Sequence, residues 1–203
     1  MDDATLLARW QDGDTDAGSD LFEQHFSTVF RFFRSKISGP VDDLVQRTFM
    51  ACLEGRERIE GGGFRPYLLG VARIVLYAEY RSRKKFDDDH DVGASSVMDL
   101  DPTPSQVAAK REEHRLLLKA LRRLSLNHQI ALELYYVEGM RGPALATALG
   151  LPEGTVRSRL KRGLEHLRRE IAQLAETPAL AQSTVDGLET WAGDVRAVLA
   201  APS

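Results

Sequence analysis

The chain has 203 residues, 43% of them apolar and 28% charged, with a formal net charge of −3 at neutral pH. That balance fits a soluble globular protein of one ordinary domain or two small ones; it excludes a disordered chain and, since no uncharged apolar run reaches about 18 residues, a transmembrane helix. The first thirty residues carry seven carboxylates against one base, Arg9, the opposite of a basic signal peptide, and the lone Cys52 can form neither an internal disulfide nor a multi-cysteine zinc site, so a cytoplasmic location is expected.

Apolar residues recur at a period near 3.6 almost throughout and alternate nowhere for long, which predicts an all-α chain. A short helix is expected near Leu6 to Trp10. Phe22, Phe26, Val29, Phe30, Phe33 and Ile37 then form one helical stripe, ended by Gly39-Pro40. The next helix opens at Asp42 or Asp43, where carboxylates favour the helix dipole, and turns Leu44, Val45, Phe49, Cys52 and Leu53 inward. After the Gly61-Gly62-Gly63 turn a long helix runs from about Phe64 to Arg83, completing a first bundle over residues 1–85.

Residues 86–105 lose the period and are rich in Asp, Ser and Gly with two prolines, the composition of a linker that cannot offset its ordering entropy. A second bundle is expected over residues 106–173: Leu117, Leu121 and Leu124 on one face, then Ile130, Leu134 and Val137 up to Gly139, then a short helix from Pro143 to its stop at Gly150. In the tail, residues 174–203, Thr177-Pro178 breaks the preceding helix, and Val185, Leu188, Trp191 or Ala192, Val195 and Leu199 make an amphipathic stripe. That stripe is open to three readings: docking on one of the bundles with a regulatory effect, a partner-binding helix, or an inert tail.

Charge is segregated. Residues 71–85 hold five bases against Glu79, residues 155–170 hold six against Glu165 and Glu170, and residues 87–101 between them hold six aspartates and no Lys or Arg. A polyanion senses such segments locally, within a Debye length of about 8–10 Å. From Asn127 to Ile171 the order is helix, short helix, Gly150-Leu151-Pro152 turn and basic helix, a helix-turn-helix pattern. Val156, Leu160, Leu164, Leu167 and Ile171 fix the buried face of the last helix; Thr155, Ser158, Arg162 and Arg169 lie opposite, with Arg157, Arg159 and Lys161 on the flanks. A helix of that width enters a major groove, where arginine bonds two guanine acceptors at once and serine or lysine holds phosphate.

These residues resemble the extracytoplasmic-function branch of bacterial sigma factors, the promoter-recognition subunits of RNA polymerase. Leu151-Pro152-Glu153-Gly154-Thr155-Val156-Arg157-Ser158-Arg159-Leu160 is similar to the turn and recognition helix of sigma region 4. Asp43-Leu44-Val45-Gln46-Arg47-Thr48-Phe49 resembles the polymerase-binding helix of region 2, and Phe64-Arg65-Pro66-Tyr67-Leu68 through Arg81-Ser82-Arg83-Lys84-Lys85 resembles the helix after it. The resemblance spans roughly residues 4–172 and implies a non-enzymatic protein that binds core polymerase, recognises −10 and −35 promoter elements and helps melt the former, often under control of an anti-sigma factor.

The resemblance assigns Asp42, Asp43, Gln46 and Phe49 to polymerase docking; the residues alone equally allow the carboxylates to cap the helix and Phe49 to sit in the core. It assigns Arg65, Tyr67, Arg73, Ile74, Tyr80, Arg81, Arg83, Lys84 and Lys85 to the −10 element, with the Gly61–Gly63 loop either helping there or serving as a plain connector. Ile74 stands where relatives commonly carry Asn, and Ala78 where Asp or Asn often follows; Ile74 neither donates nor accepts a hydrogen bond. Arg157, Ser158, Lys161 and Arg162, with Thr155 and Arg159 beside them, are assigned to the −35 element. The acidic linker would follow the RNA path through polymerase or serve solubility alone.

No cofactor or metal is expected: the five histidines are scattered, and HExxH, CxxC and phosphate-loop spacings are missing. Two other readings compete, a helix-turn-helix regulator that never touches core polymerase and a pure interaction module.

Overall fold

The structure, a computed structural model, describes residues 1–59, 63–86, 107–188 and 190, with side chains at all of these except 84–86 and 107–111. The predicted linker from Asp87 onward, Gly61 and Gly62, and Trp191, Ala192, Val195 and Leu199 of the tail lie outside the described residues. Among the described residues every regular element is helical, as the period predicts, and no helix is long and apolar enough to cross a membrane. The chain divides into two compact units, residues 1–98 with 146–151 and residues 99–145 with 152–203.

In the first unit α1 (Asp3–Gln11), α2 (Thr15–Arg34), α3 (Asp42–Glu54) and α4 (Phe64–Phe86) form the bundle, with a 3-10 turn at Arg56–Arg58. Local chemistry sets the first two boundaries. Asp2 caps α1 by accepting from the Thr5 amide at 3.0 Å. Asp14 caps α2 by accepting from the Asp16 and Ala17 amides and also holds Arg9 at 2.6 Å, which keeps its carboxyl below the usual aspartate range. Trp10 crosses α2 at Gly18, where a Cβ would overlap the indole ring, and meets Phe22 and Phe64 edge-on at 5.3 and 5.9 Å. Buried His25 ties the start of α1 to α2 through Asp3 at 2.8 Å.

Of the stripe expected for α2, Val29, Phe33 and Ile37 are buried, while its other three members need correction. The helix ends at Arg34, and its buried side is Leu21, Thr28, Val29, Phe32 and Phe33; Phe22 and Phe30 are half-buried and Phe26 is 49% exposed. Alpha-helical phase allowed either of two adjacent strips to face inward, and the core takes the one led by Leu21. On α3, Leu44, Val45 and Cys52 are buried as expected, whereas Phe49 is half-buried and Leu53 is 44% exposed.

In the second unit α5 (Val107–Arg122), α6 (Leu126–Leu132), α8 (Glu153–Leu174) and α9 (Pro178–Asp186) surround a core of Leu116, Leu117, Ala120, Leu124, Leu132, Leu167, Ile171 and Leu188. Helix α6 widens into a π turn over Glu133–Val137, where the Glu138 amide reaches back to the Glu133 carbonyl at 3.0 Å. The short helix α7 (Gly142–Leu149), counted with the first unit from Ala146 onward, stops at Gly150, whose φ of +61° lets the chain reverse. Pro152 then opens α8, which buries Val156, Leu167 and Ile171. The tail helix starts earlier than its stripe suggests: Thr177 caps it by accepting from the Leu180 amide at 3.2 Å, and Pro178 takes the first turn. It rests on α5 and α8 with Thr184 and Leu188 buried, so up to Leu188 the tail docks on its own second bundle.

Candidate partner and nucleic-acid interfaces

Three surfaces carry the sequence-predicted residues. The first lies between α2 and α3, an open groove of about 320 Å³ lined by Phe22, Phe26, Val45, Phe49, Met50 and Leu53, with Asp42 and Gln46 also on its wall. Phe22 and Phe49 meet across it with their rings tilted by 38° and centroids 4.7 Å apart, while Met50 is 50% exposed. Of the predicted docking residues, Asp42, Asp43 and Gln46 are exposed and Phe49 is half-buried. Neither carboxylate caps the helix, because the N-cap is Val41 and makes no side-chain bond; Asp43 sits 3.5 Å from Arg47. Of the groove's apolar lining the sequence reading puts only Phe49 at a partner surface: it gives Phe22, Phe26, Val45 and Leu53 to the inward stripes and passes over Met50. The available signal was surplus: α2 and α3 carry more apolar positions than a single inward stripe can bury.

The second surface is α4. It holds all nine residues expected at the −10 element, but they do not share a face. Tyr67 leans over Gly55, its hydroxyl 3.5 Å from that carbonyl, and Tyr80 donates to the Lys36 carbonyl at 2.7 Å, so both hydroxyls point into the fold and burial pushes both phenols up. Arg65 and Arg73 are half-buried, and Arg73 lies 6.0 Å from the Tyr77 ring centroid. Arg83 pairs with Glu79 at 2.8 Å, Arg81 and Ile74 are exposed, and the side chains of Lys84 and Lys85 lie outside the described residues.

The third is the outer face of α8. Thr155, Arg157, Ser158, Lys161 and Arg162 are exposed, and Arg157, Lys161 and Arg162 make no hydrogen bond or ion pair among the described residues. Ser158 donates to the Gly154 carbonyl at 3.0 Å. Arg159 is half-buried and donates to Asn127 at 3.2 Å, fastening α8 to the start of α6. Beside it the His128 and His166 rings meet edge-on at 5.0 Å, a pairing that sequence spacing does not reveal. Partial burial first, then the charges of His166, Arg159 and Arg162, hold His128 below the ordinary imidazole value. Such a face presents cations and hydroxyls at the spacing of one helix turn, suited to phosphates and base edges.

Among the described residues no three His, Cys, Asp or Glu side chains group to hold a metal ion. Burial pushes the Cys52 thiol up to about 12, which makes it an inert packing group.

Residues 21–86 match sigma-70 region 2 and residues 114–167 match sigma-70 region 4. The chain is 31% identical over 176 residues to the RNA polymerase sigma factor CarQ of Myxococcus xanthus, covering 83% of this chain and 97% of CarQ. Among solved structures it is similar in fold to CnrH in complex with the cytosolic domain of CnrY, with a TM-score of 0.59 at 22% identity over 85% of this chain and 99% of that one. It is also similar in fold to the sigma factor RpoE in complex with the anti-sigma factor NepR from Bartonella quintana, with a TM-score of 0.54 at 23% identity over 75% and 97% of the two chains. The region 2 match sets aside both a regulator with only a helix-turn-helix and a pure interaction module.

Proposed function

The chain belongs to the sigma-70 family, in its extracytoplasmic-function branch, and promotes transcription initiation as a sigma factor of RNA polymerase; from that premise we propose which of its surfaces does which part of the work. Residues 1–85 act as region 2, residues 86–105 as an acidic linker, residues 106–173 as region 4 and residues 174–203 as a C-terminal extension, all in the cytoplasm where polymerase and promoter meet. The α2–α3 groove docks on core polymerase. Phe49 and its apolar neighbours give the contact its desolvated centre, and Asp42, Asp43 and Gln46 give it a polar rim that selects a basic partner. RpoE is solved with an anti-sigma factor bound, and such a partner competing for this groove is part of the proposal.

On promoter DNA, α8 enters the major groove of the −35 element. Arg157 and Arg162 contact base edges or phosphates, Lys161 holds the backbone, Thr155 and Ser158 fix register, and Arg159 sets the pose of α8 through Asn127. Helix α4 lies on the −10 element with Arg81, Arg83, Lys84 and Lys85 along the backbone, while Arg65, Tyr67, Arg73 and Tyr80 shape the surface from which Ile74 projects. Opening the duplex costs roughly a few kcal/mol per extruded base, which these contacts offset.

The observation that carries the docking assignment is the exposed apolar groove beside Asp42 and Gln46. Leu53→Asp tests it. Because Leu53 is exposed, the melting temperature should stay put while co-purification with core polymerase and run-off transcription both fall at least ten-fold. Unchanged association would contradict the assignment. In the other unit, Arg162→Ala should cost about 1–3 kcal/mol of promoter affinity at fixed salt if the contact is bidentate to a base, and less if it reaches only phosphate; full affinity would remove Arg162 from the interface.

A further inference from the structure

Ile74 is 58% exposed, and among the described residues it is the one large apolar side chain that α4 leaves in solvent; Phe26, Met50 and Leu53 belong to the α2–α3 groove. Along its face the neighbours are low or charged: Val71 is half-buried one turn before it, Ala78 is small one turn after it, and Arg81 is exposed two turns on. Tyr77, also one turn on, is half-buried with the Arg73 guanidinium beside its ring. The Arg73 guanidinium is engaged by the Ala148 carbonyl at 3.2 Å, so Ile74 projects as an apolar tip with the exposed cation of Arg81 on its own face. Its β-branch holds essentially one rotamer in a helix, so the tip is presented at a fixed place.

A base edge offers such a side chain little. Donors and acceptors find no partner in it, and the apolar group on a base edge is the C5-methyl of thymine. We propose that Ile74 packs on a thymine methyl within the −10 element, so that this sigma factor reads one promoter position by methyl contact where a polar side chain would read it by hydrogen bonds. This rests on α4 lying on the −10 element, as proposed above. Ala78 favours the same outcome, because a longer side chain one turn away would crowd the approach of the base, and Arg81 on the same face is placed to hold the neighbouring phosphate.

The test uses full-length protein with core polymerase on a promoter recovered from co-precipitated DNA. Each thymine of the −10 element is replaced in turn by deoxyuridine, which lacks only the methyl, and open-complex formation is measured. Wild-type protein should lose roughly three- to five-fold at one position and little elsewhere. Ile74→Ala should be weaker by a similar factor on the thymine promoter and indifferent to the deoxyuridine, and Ile74→Val should keep the sensitivity.

Three results would overturn methyl recognition: a −10 element without thymine, identical deoxyuridine profiles for wild type and Ile74→Ala, or an Ile74→Ala loss equal on both promoters, the last being the mark of a wedge between base steps. Arg81→Ala separates this from the parent assignment. If it weakens open complexes in a salt-dependent way while Ile74→Ala has no effect, only methyl recognition is lost; if neither variant matters, α4 does not contact the −10 element.

Discussion

His128 meets His166 and lies close to Arg159 and Arg162, so a proton added to its ring joins an already cationic surface. Its value in the fold is depressed below 6.5, first by partial burial and then by those charges, whereas in the unfolded chain the ring binds a proton at its ordinary value. The unfolded state therefore takes up the extra proton first. The stability associated with the neutral ring is fully present above about pH 6.5 and is lost as pH falls through the folded value. The melting temperature of the wild type should drop between roughly pH 7.5 and pH 5.5, and His128→Gln should flatten part of that drop; identical profiles would remove His128 as a contributor. Nothing in the linear spacing of the two histidines announces this pair, because only the packing of α6 on α8 brings them together. The outward residues of α8 were legible for the opposite reason: a single apolar strip of Val156, Leu160, Leu164, Leu167 and Ile171 fixes the helix phase and leaves Arg157, Lys161 and Arg162 outside.

Helices α1 and α2 meet where Trp10 crosses Gly18. Gly18→Ala would ordinarily favour a helix by about 1 kcal/mol, but here the added Cβ must displace an indole that is itself packed on Phe22 and Phe64. A net loss of about 1–3 kcal/mol is expected by thermal or chemical denaturation; unchanged or higher stability would show that the indole moves freely. The same part of the chain shows where sequence reading fails. Helix α2 bears two neighbouring strips, one through Leu21, His25, Thr28 and Phe32, the other through Phe22, Phe26 and Phe30, and periodicity favours the second, which is wholly apolar. The choice is made by tertiary packing, which sends the first into the core and leaves Phe22 and Phe26 of the second to wall the groove with α3. Helix α4, by contrast, was legible in extent from Phe64 onward, though not in where each tyrosine hydroxyl goes.

Across the whole molecule the first unit supplies the groove proposed for docking and a basic helix, and the second supplies the helix proposed for the −35 element, with the tail packed against it. Helix α9 packs Leu180, Ala181 and Val185 against the core, and Leu188 just beyond it is itself a buried member. Deleting residues 176–203 should therefore destabilise the protein by at least the burial of one leucine, about 1.5–3 kcal/mol, seen as a lower melting temperature; a truncated chain that melts like the parent would show the packing to be dispensable. The most direct test of the central claim, that one chain joins core polymerase to a promoter, is run-off transcription by purified core polymerase with and without the full-length protein on DNA that co-precipitates with their complex. The expected result is a discrete transcript that requires the protein and disappears with Leu53→Asp. Stable failure of the purified protein to bind core polymerase, with initiation unchanged by its addition, would contradict it.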